Sequence, residues 1–215
     1  MQIVSSGQSA LIVIDMQRDF LDAGGYAAQT GMDISALRKP ILSILALLDY
    51  VRSQGVLIVH TREGHKPDMS DCLPAKLARS RNAGAEIGST GPLGRLLIRG
   101  EYGHDIIDEL KPLAGEAIVD KPGYGAFYQT DLSQILDLHS IKQLYICGVT
   151  TEVCVQSTLR EAIDRGYDCV LVDDACGSAH PNLHEATIKM VAVEGGILGQ
   201  VCDSSELITM LRRSQ

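Results

Sequence analysis

Ala10-Leu11-Ile12-Val13-Ile14-Asp15 is an unbroken apolar run closed by a carboxylate. An alternating run marks a strand with one wet face. A continuous run marks a strand covered on both faces, which is the habit of parallel sheets. The pattern recurs at 56–61, 117–120, 143–147, 169–172 and 197–202, giving six strands. Between them apolar residues fall at helical spacing over 34–53, 131–138, 151–164 and 181–193. A last helix starts near Asp203, with Asp203, Ser204 or Ser205 as its cap. Pro40 places the regular part of the 34–53 helix from about Lys39 onward, with proline in its first turn. Strands alternating with helices predict an α/β fold, a three-layer Rossmann-like sandwich whose six-stranded parallel sheet carries helices on both faces. A chain of 215 residues is expected to form one such domain. The segment 62–102, rich in Gly and Pro, reads as a lid or active-site loop.

Composition narrows the function. A net charge of -8 gives no attraction for nucleic acid or anionic lipid. No run of about 18 apolar residues and no signal peptide is seen, so a cytoplasmic protein without a membrane partner is expected. Six scattered cysteines without a CxxC fit buried apolar thiols better than a disulfide scaffold. Charge is uneven, however. Arg62, Lys66, Lys76, Arg79, Arg81, Arg95 and Arg99 face only Glu63, Asp68, Asp71 and Glu86 between 60 and 100. That stretch either welcomes an anion or is an ordinary solvated loop.

In open parallel sheets the ligand site lies beyond the carboxyl ends of the strands. Asp15, Thr61 onward, Asp120-Lys121 and the stretch 148–154 all fall there. Cys154 lies in the first turn of a predicted helix, where free N–H groups favour a thiolate and can hold an oxyanion. A buried structural cysteine is the alternative. Asp15 closes the first strand, where partial desolvation raises a carboxylate toward the range useful for proton transfer; a turn or cap role is the alternative. Lys121 closes the third strand. It either pairs with a carboxylate and a thiolate or reaches out to solvent.

Three segments carry a resemblance: Val13-Ile14-Asp15-Met16-Gln17-x-Asp19-Phe20, Lys121-Pro122-x-Tyr124-x-Ala126-Phe127, and Gly148-Val149-Thr150-Thr151-Glu152-Val153-Cys154-Val155. In this order they resemble the isochorismatase-like cysteine hydrolases, over about residues 10–211. The resemblance implies a catalytic triad of Asp15, Lys121 and Cys154. It also implies a cis Val149–Thr150 peptide, an oxyanion hole from the Thr150 and Cys154 amides, and a homodimer or homotetramer. Isochorismatases proper, which act on a vinyl ether, lack the nucleophilic cysteine. Nicotinamidases carry an Asp-x-His metal motif where this chain has Glu63-Gly64-His65, with Asp71 beyond; these three are candidates for a divalent ion, but the histidine cluster is missing.

Gly24-Gly25-Tyr26, Asp105 and the segment 121–128 look closest to the ureidoacrylate and biuret or triuret hydrolases, which implies a small ureido-type amide substrate and no metal or cofactor. Phe20, Tyr124 and Phe127 are candidate walls for such a flat substrate, with core packing the alternative for Phe127. Gln17 and Glu194 are candidate readers of its N–H groups, and Arg62 or Lys66 of a carboxylate. An N-carbamoyl amino acid amidase, a nicotinamidase-like hydrolase and a thiol redox sensor remain alternatives.

Overall fold

The computed structural model describes residues 6–213. After β1 (Ser9–Ile14) come four helices: α1 (Arg18–Leu21), α2 (Tyr26–Gln29), α3 (Ile34–Arg38) and α4 (Ile41–Gln54). β2 (Leu57–Glu63), α5 (Pro74–Asn82) and the short strands β3 (Thr90–Gly91) and β4 (Gly94–Arg95) follow, then β5 (Ala117–Lys121) and α6 (Leu132–Leu138). The chain continues through β6 (Gln143–Val149), α7 (Gln156–Asp164), β7 (Asp168–Gly177), α8 (Pro181–Val191), a helical turn α9 (Val193–Gly196), β8 (Gln200–Cys202) and α10 (Ser204–Arg213). Six strands pair in parallel in the order β5-β2-β1-β6-β7-β8, flanked by helices; β3 and β4 form a separate antiparallel pair. β1 and β6, at the centre, are buried along their whole length, as their unbroken apolar runs require. No helix among the described residues is long and apolar enough to cross a membrane.

The sixth expected strand, 197–202, is shorter than the sequence suggested, holding strand only over Gln200–Cys202, and the structure departs further from expectation at three places. The stretch 34–53 is two helices, because Pro40 has no N–H to continue α3 and instead caps α4. The fifth strand extends through Asp173 and Asp174 to Gly177. Asp174 accepts bonds from Ser43 Oγ (2.7 Å) and from Ser204 N and Oγ (2.7 and 2.6 Å), so an exposed acid sits in the strand with both its oxygens engaged. The segment 62–102 is not all loop. It holds α5, whose buried residues are Lys76 and Ser80, a polar face without the apolar stripe by which a helix is recognised. The segment is tied to α1 by Asp19 Oδ2, which accepts the Leu97 N–H at 2.9 Å; burial pushes the Asp19 carboxyl up to about 6.

Gly148 joins the sheet to the site. Its φ is +117°, and a Cβ there would lie 2.1 Å from the Ile14 carbonyl oxygen and 2.6 Å from the Ile14 nitrogen. Both obstacles are backbone of the central strand, which has nowhere to move. Gly148→Ala is therefore expected to cost about 3 kcal/mol or more, read as a lowered midpoint of chemical denaturation. An unchanged midpoint would show that β1 and β6 separate without penalty.

Candidate active site

Four parallel strands end side by side and deliver one charged or nucleophilic group each. Asp15 follows β1 directly, with φ at 52°, a left-handed conformation that few residues other than glycine accept and that aspartate tolerates. Thr61 on β2 donates its hydroxyl to Asp15 Oδ1 at 2.6 Å and accepts the Asp15 N–H at 3.2 Å. Two residues on, hence on the same face of β2, Glu63 ends the strand opposite Lys121 of β5. Lys121 is fully buried, its Nζ 2.8 Å from Asp15 Oδ2 and 3.6 Å from Glu63 Oε2, donating also to the carbonyls of Gly123 (3.0 Å) and Tyr124 (2.9 Å). Beyond β6 the chain makes a cis Val149–Thr150 peptide and one π-helical turn, Thr151–Val155, before α7. That turn carries Cys154, whose thiol donates to Glu63 Oε2 at 3.2 Å. One ligand atom each from Asp15, Glu63 and Cys154 lies within 4.8 Å of the others. Thr150 C=O accepts from the Val153 and Val155 N–H groups, the amides on either side of Cys154. Thr151 braces the turn, donating to Gly177 O at 3.1 Å with His184 Nδ1 at 2.9 Å.

Electrostatics sort these groups. Burial, with Glu63 nearby, raises the Asp15 carboxyl against the pull of Lys121 and Thr61. Burial also disfavours the Glu63 carboxylate, but Lys76, whose Nζ is 2.6 Å from Oε1, and Lys121 outweigh it and hold the group down at about 2. Burial opposes charge on Lys121 as well, yet Asp15, Cys154 and Glu63 together keep it an ammonium. The sulfur behaves otherwise than its helix-start position predicts. Burial, Glu63 and Asp15 push the Cys154 thiol well above its ordinary range, and Lys121 offsets this only in part. The resting sulfur is thus a thiol, hydrogen-bonded to a carboxylate.

Residues 9–206 match the family described as the isochorismatase domain. The chain belongs to the isochorismatase family. The ureidoacrylate amidohydrolase RutB of Klebsiella pneumoniae is 34% identical over 185 residues, covering 81% of this chain and 75% of the relative. That of Acinetobacter baylyi is 29% identical over 212 residues, covering 97% and 85%. In fold, the crystal structure of a cysteine hydrolase from Pseudomonas syringae pv. phaseolicola superposes with a TM-score of 0.85 at 23% identity, over 100% of this chain and 97% of that one.

In this isochorismatase-family chain a cavity of about 190 Å³ opens onto Cys154. Phe20 and Tyr124 wall it, as the sequence suggested, and Thr150 and Glu63 border it near the sulfur. The other expected contacts lie elsewhere. Gln17 is fully buried and occupied: its Nε2 donates to Glu63 O (2.9 Å) and His104 O (2.8 Å), and its Oε1 accepts the Glu63 N–H at 2.7 Å. It places Glu63 and does not face the cavity. Phe127 packs in the core, stacked on Tyr167 with ring centroids 6.1 Å apart. Glu194 is exposed in α9, outside the cavity, in a segment whose two positive φ values break the helix. Arg62 is committed to Asp120 and Asp105, and Lys66 is exposed outside the cavity.

Glu63, His65 and Asp71 do not converge as a metal site. His65 Nδ1 meets Asp71 Oδ1 at 3.2 Å, while Glu63 turns to the two lysines. Among the described residues the one cluster of three metal-type donors is Asp15, Glu63 and Cys154, and there the Lys121 ammonium already serves as the cation. Sequence reasoning missed Glu63 as a partner of the sulfur, and had Lys76 and Arg79 only as members of a basic stretch, not as residues that α5 brings to a cavity lined also by Tyr26, Met32, Ile87 and Val153.

Proposed function

We propose that this chain is a cysteine-dependent amidohydrolase that cleaves the C–N bond of a small ureido-type amide. One observation carries the reading: a cysteine sulfur at the end of a cavity, hydrogen-bonded to one carboxylate and within reach of a second, with a buried lysine between the two. Family membership and the names of the relatives support hydrolysis of a linear amide. The apolar cavity walls suit a flat substrate.

The roles follow from the electrostatics. Glu63, held down at about 2, is too weak a base to take a thiol proton; it orients the S–H. Asp15, raised by burial, is the better acceptor. As Sγ attacks the carbonyl carbon, the sulfur proton passes to Asp15 and charge grows on the carbonyl oxygen. The Thr150 and Cys154 amides receive that charge, each donor contributing about 3 kcal/mol in sites of this kind. Collapse breaks the C–N bond, Asp15 returns the proton to the departing nitrogen, and ammonia or an amine leaves. Water then attacks the thioester carbon, giving up a proton through Asp15 and restoring the thiol. Lys121 keeps the buried carboxylates from repelling one another throughout.

The burial and high pKa of Cys154 count against the redox-sensor alternative, because sensing thiols are exposed and acidic. The test is an ammonia-release screen across biuret, triuret, ureidoacrylate, N-carbamoyl amino acids and nicotinamide, followed by acid quench and mass spectrometry during turnover. Release from ureido compounds together with an acyl adduct on the Cys154 peptide is the expected result. Turnover with no adduct on that peptide, or no release from any of them, would overturn the proposal.

A further inference from the structure

We infer that His184, as a doubly protonated imidazolium, is a positioning residue: it locks Thr151 between α8 and the end of β7 and so holds the turn that carries Cys154; this rests on the amidohydrolase reading above. The inference starts from a count of protons. Thr151 is fully buried and opens the π-helical turn Thr151–Val155. Its hydroxyl has one proton to give and two atoms within reach, the Gly177 carbonyl oxygen at 3.1 Å and His184 Nδ1 at 2.9 Å. On the far side of the ring, His184 Nε2 lies 2.8 Å from Asp173 Oδ1.

Three proton arrangements are open to the ring. With a proton on Nε2 alone, Asp173 is satisfied, but the Nδ1 lone pair must take the threonine proton, and the tie to Gly177 is given up. With a proton on Nδ1 alone, Thr151 keeps Gly177, but a bare Nε2 lone pair faces a carboxylate at hydrogen-bond distance. The imidazolium donates at both ends and leaves the threonine proton on Gly177, so all three contacts are made at once. Its bond to Asp173 is then charge-assisted.

Placement gives the brace its purpose. Gly177 ends β7 and is the register partner of Val149. The residues on either side of Thr150 are thus both anchored to one glycine, and the Thr150 amide is one of the two proposed oxyanion donors. At the other end of the turn, Thr158 Oγ1 donates to the Cys154 carbonyl at 2.8 Å. His184 adds α8 to the entry anchor. The charged groups nearby are mostly acids. β7 presents Asp173 at the ring and Asp174, held by Ser43 and Ser204. The turn carries Glu152 and the buried Cys154 thiol, α9 carries Glu194, and β8 carries the buried Cys202. On α8 itself Glu185 adjoins the histidine, with His180 one turn before and Lys189 beyond. The brace is therefore present at low pH and is lost as pH rises and the ring gives up its second proton.

The test uses p-nitrophenyl acetate, which acetylates a cysteine without an amide substrate. The C–S bond forms, the C–O bond to p-nitrophenolate breaks, and the sulfur proton leaves through Asp15. Acetylation of Cys154, net of a Cys154→Ala blank, is followed from about pH 5 to about pH 8 in wild type, His184→Asn, Thr151→Val and the double variant. Imidazole nitrogen NMR of the wild type reports how many His184 ring nitrogens are protonated. Wild type is expected to exceed His184→Asn by about 5-fold at the acidic end. The gap closes as the second ring proton is lost, and it is absent in the Thr151→Val background. A gap constant across pH, a gap that persists without the Thr151 hydroxyl, a singly protonated ring where the gap is widest, or no acetyl adduct on wild-type Cys154 would each overturn the inference. The spectra need no variant, so they decide the protonation state even if His184→Asn does not fold. Amide turnover enters none of these readings, so failure here and failure of the hydrolase reading are separate results.

Discussion

Cys154→Ala is expected to lower turnover by about 10⁴-fold or more while leaving the protein folded. The two halves of that expectation have different grounds. Chemistry stops because no other group in the site can form the acyl intermediate; Asp15 and Lys121 are buried behind the sulfur and do not border the cavity. The fold persists because the resting thiol is neutral and makes one hydrogen bond, to a carboxylate that Lys76 and Lys121 already hold. Losing that bond and a small side chain beside an existing cavity costs on the order of 1 kcal/mol. Paired measurements of ammonia release and thermal unfolding check both halves. Turnover within about 10-fold of wild type would remove the sulfur from the mechanism, by the ordinary reading of kinetic differences.

Lys121→Met is expected to damage both activity and stability. Methionine matches the length of lysine but leaves Asp15 and Glu63 facing each other in the interior, and it strips a donor from the Gly123 and Tyr124 carbonyls. Removing one partner of a buried charge pair costs about 3–5 kcal/mol, and a comparable loss of catalysis follows from the disordered carboxylates. The variant carries a pH signature. Asp15 is already raised in the folded wild type, and losing the ammonium raises it further. A carboxyl whose folded pKa exceeds its unfolded value binds its proton more tightly when folded. Its contribution is present at low pH and is lost as pH rises through the folded value. The Lys121→Met protein should accordingly lose more stability than wild type between acid and neutral pH, measured by denaturation across that range. A parallel pH dependence in the two proteins would show that Lys121 does not set the charge state of Asp15.

These variants concern residues that the chain shows openly. Asp15, Lys121 and the turn before Cys154 stand at the ends of apolar runs, and an unbroken run fixes both the strand and the edge at which it stops. Glu63 was harder to see because β2 continues two residues past the expected end at Thr61, through Arg62 and Glu63. The signal was nonetheless there: in a strand, alternate residues share a face, so a residue placed beside Asp15 at position 61 puts position 63 beside it too. Cation sites followed a different rule. Lys76 and Arg79 sit on a helix whose inward side is polar, and the patterns that reveal helices depend on an apolar side. Gln17 and Phe127 stand within the family-like segments, yet only the partners of each show that one is spent on backbone groups and the other on Tyr167.

The polar underside of α5 divides labour within the molecule. The sheet rim carries Asp15, Glu63 and Lys121, while a second cation for Glu63, Lys76, comes from a nine-residue helix that takes no part in the sheet. A change along 74–82 is therefore felt at the rim, because position 76 carries the cation 2.6 Å from Glu63 Oε1 and position 80 the hydroxyl that accepts the Ile87 N–H. Loosening the helix would withdraw that cation and let the Glu63 carboxyl rise from about 2, so a surface helix governs the charge of a group buried at the heart of the molecule.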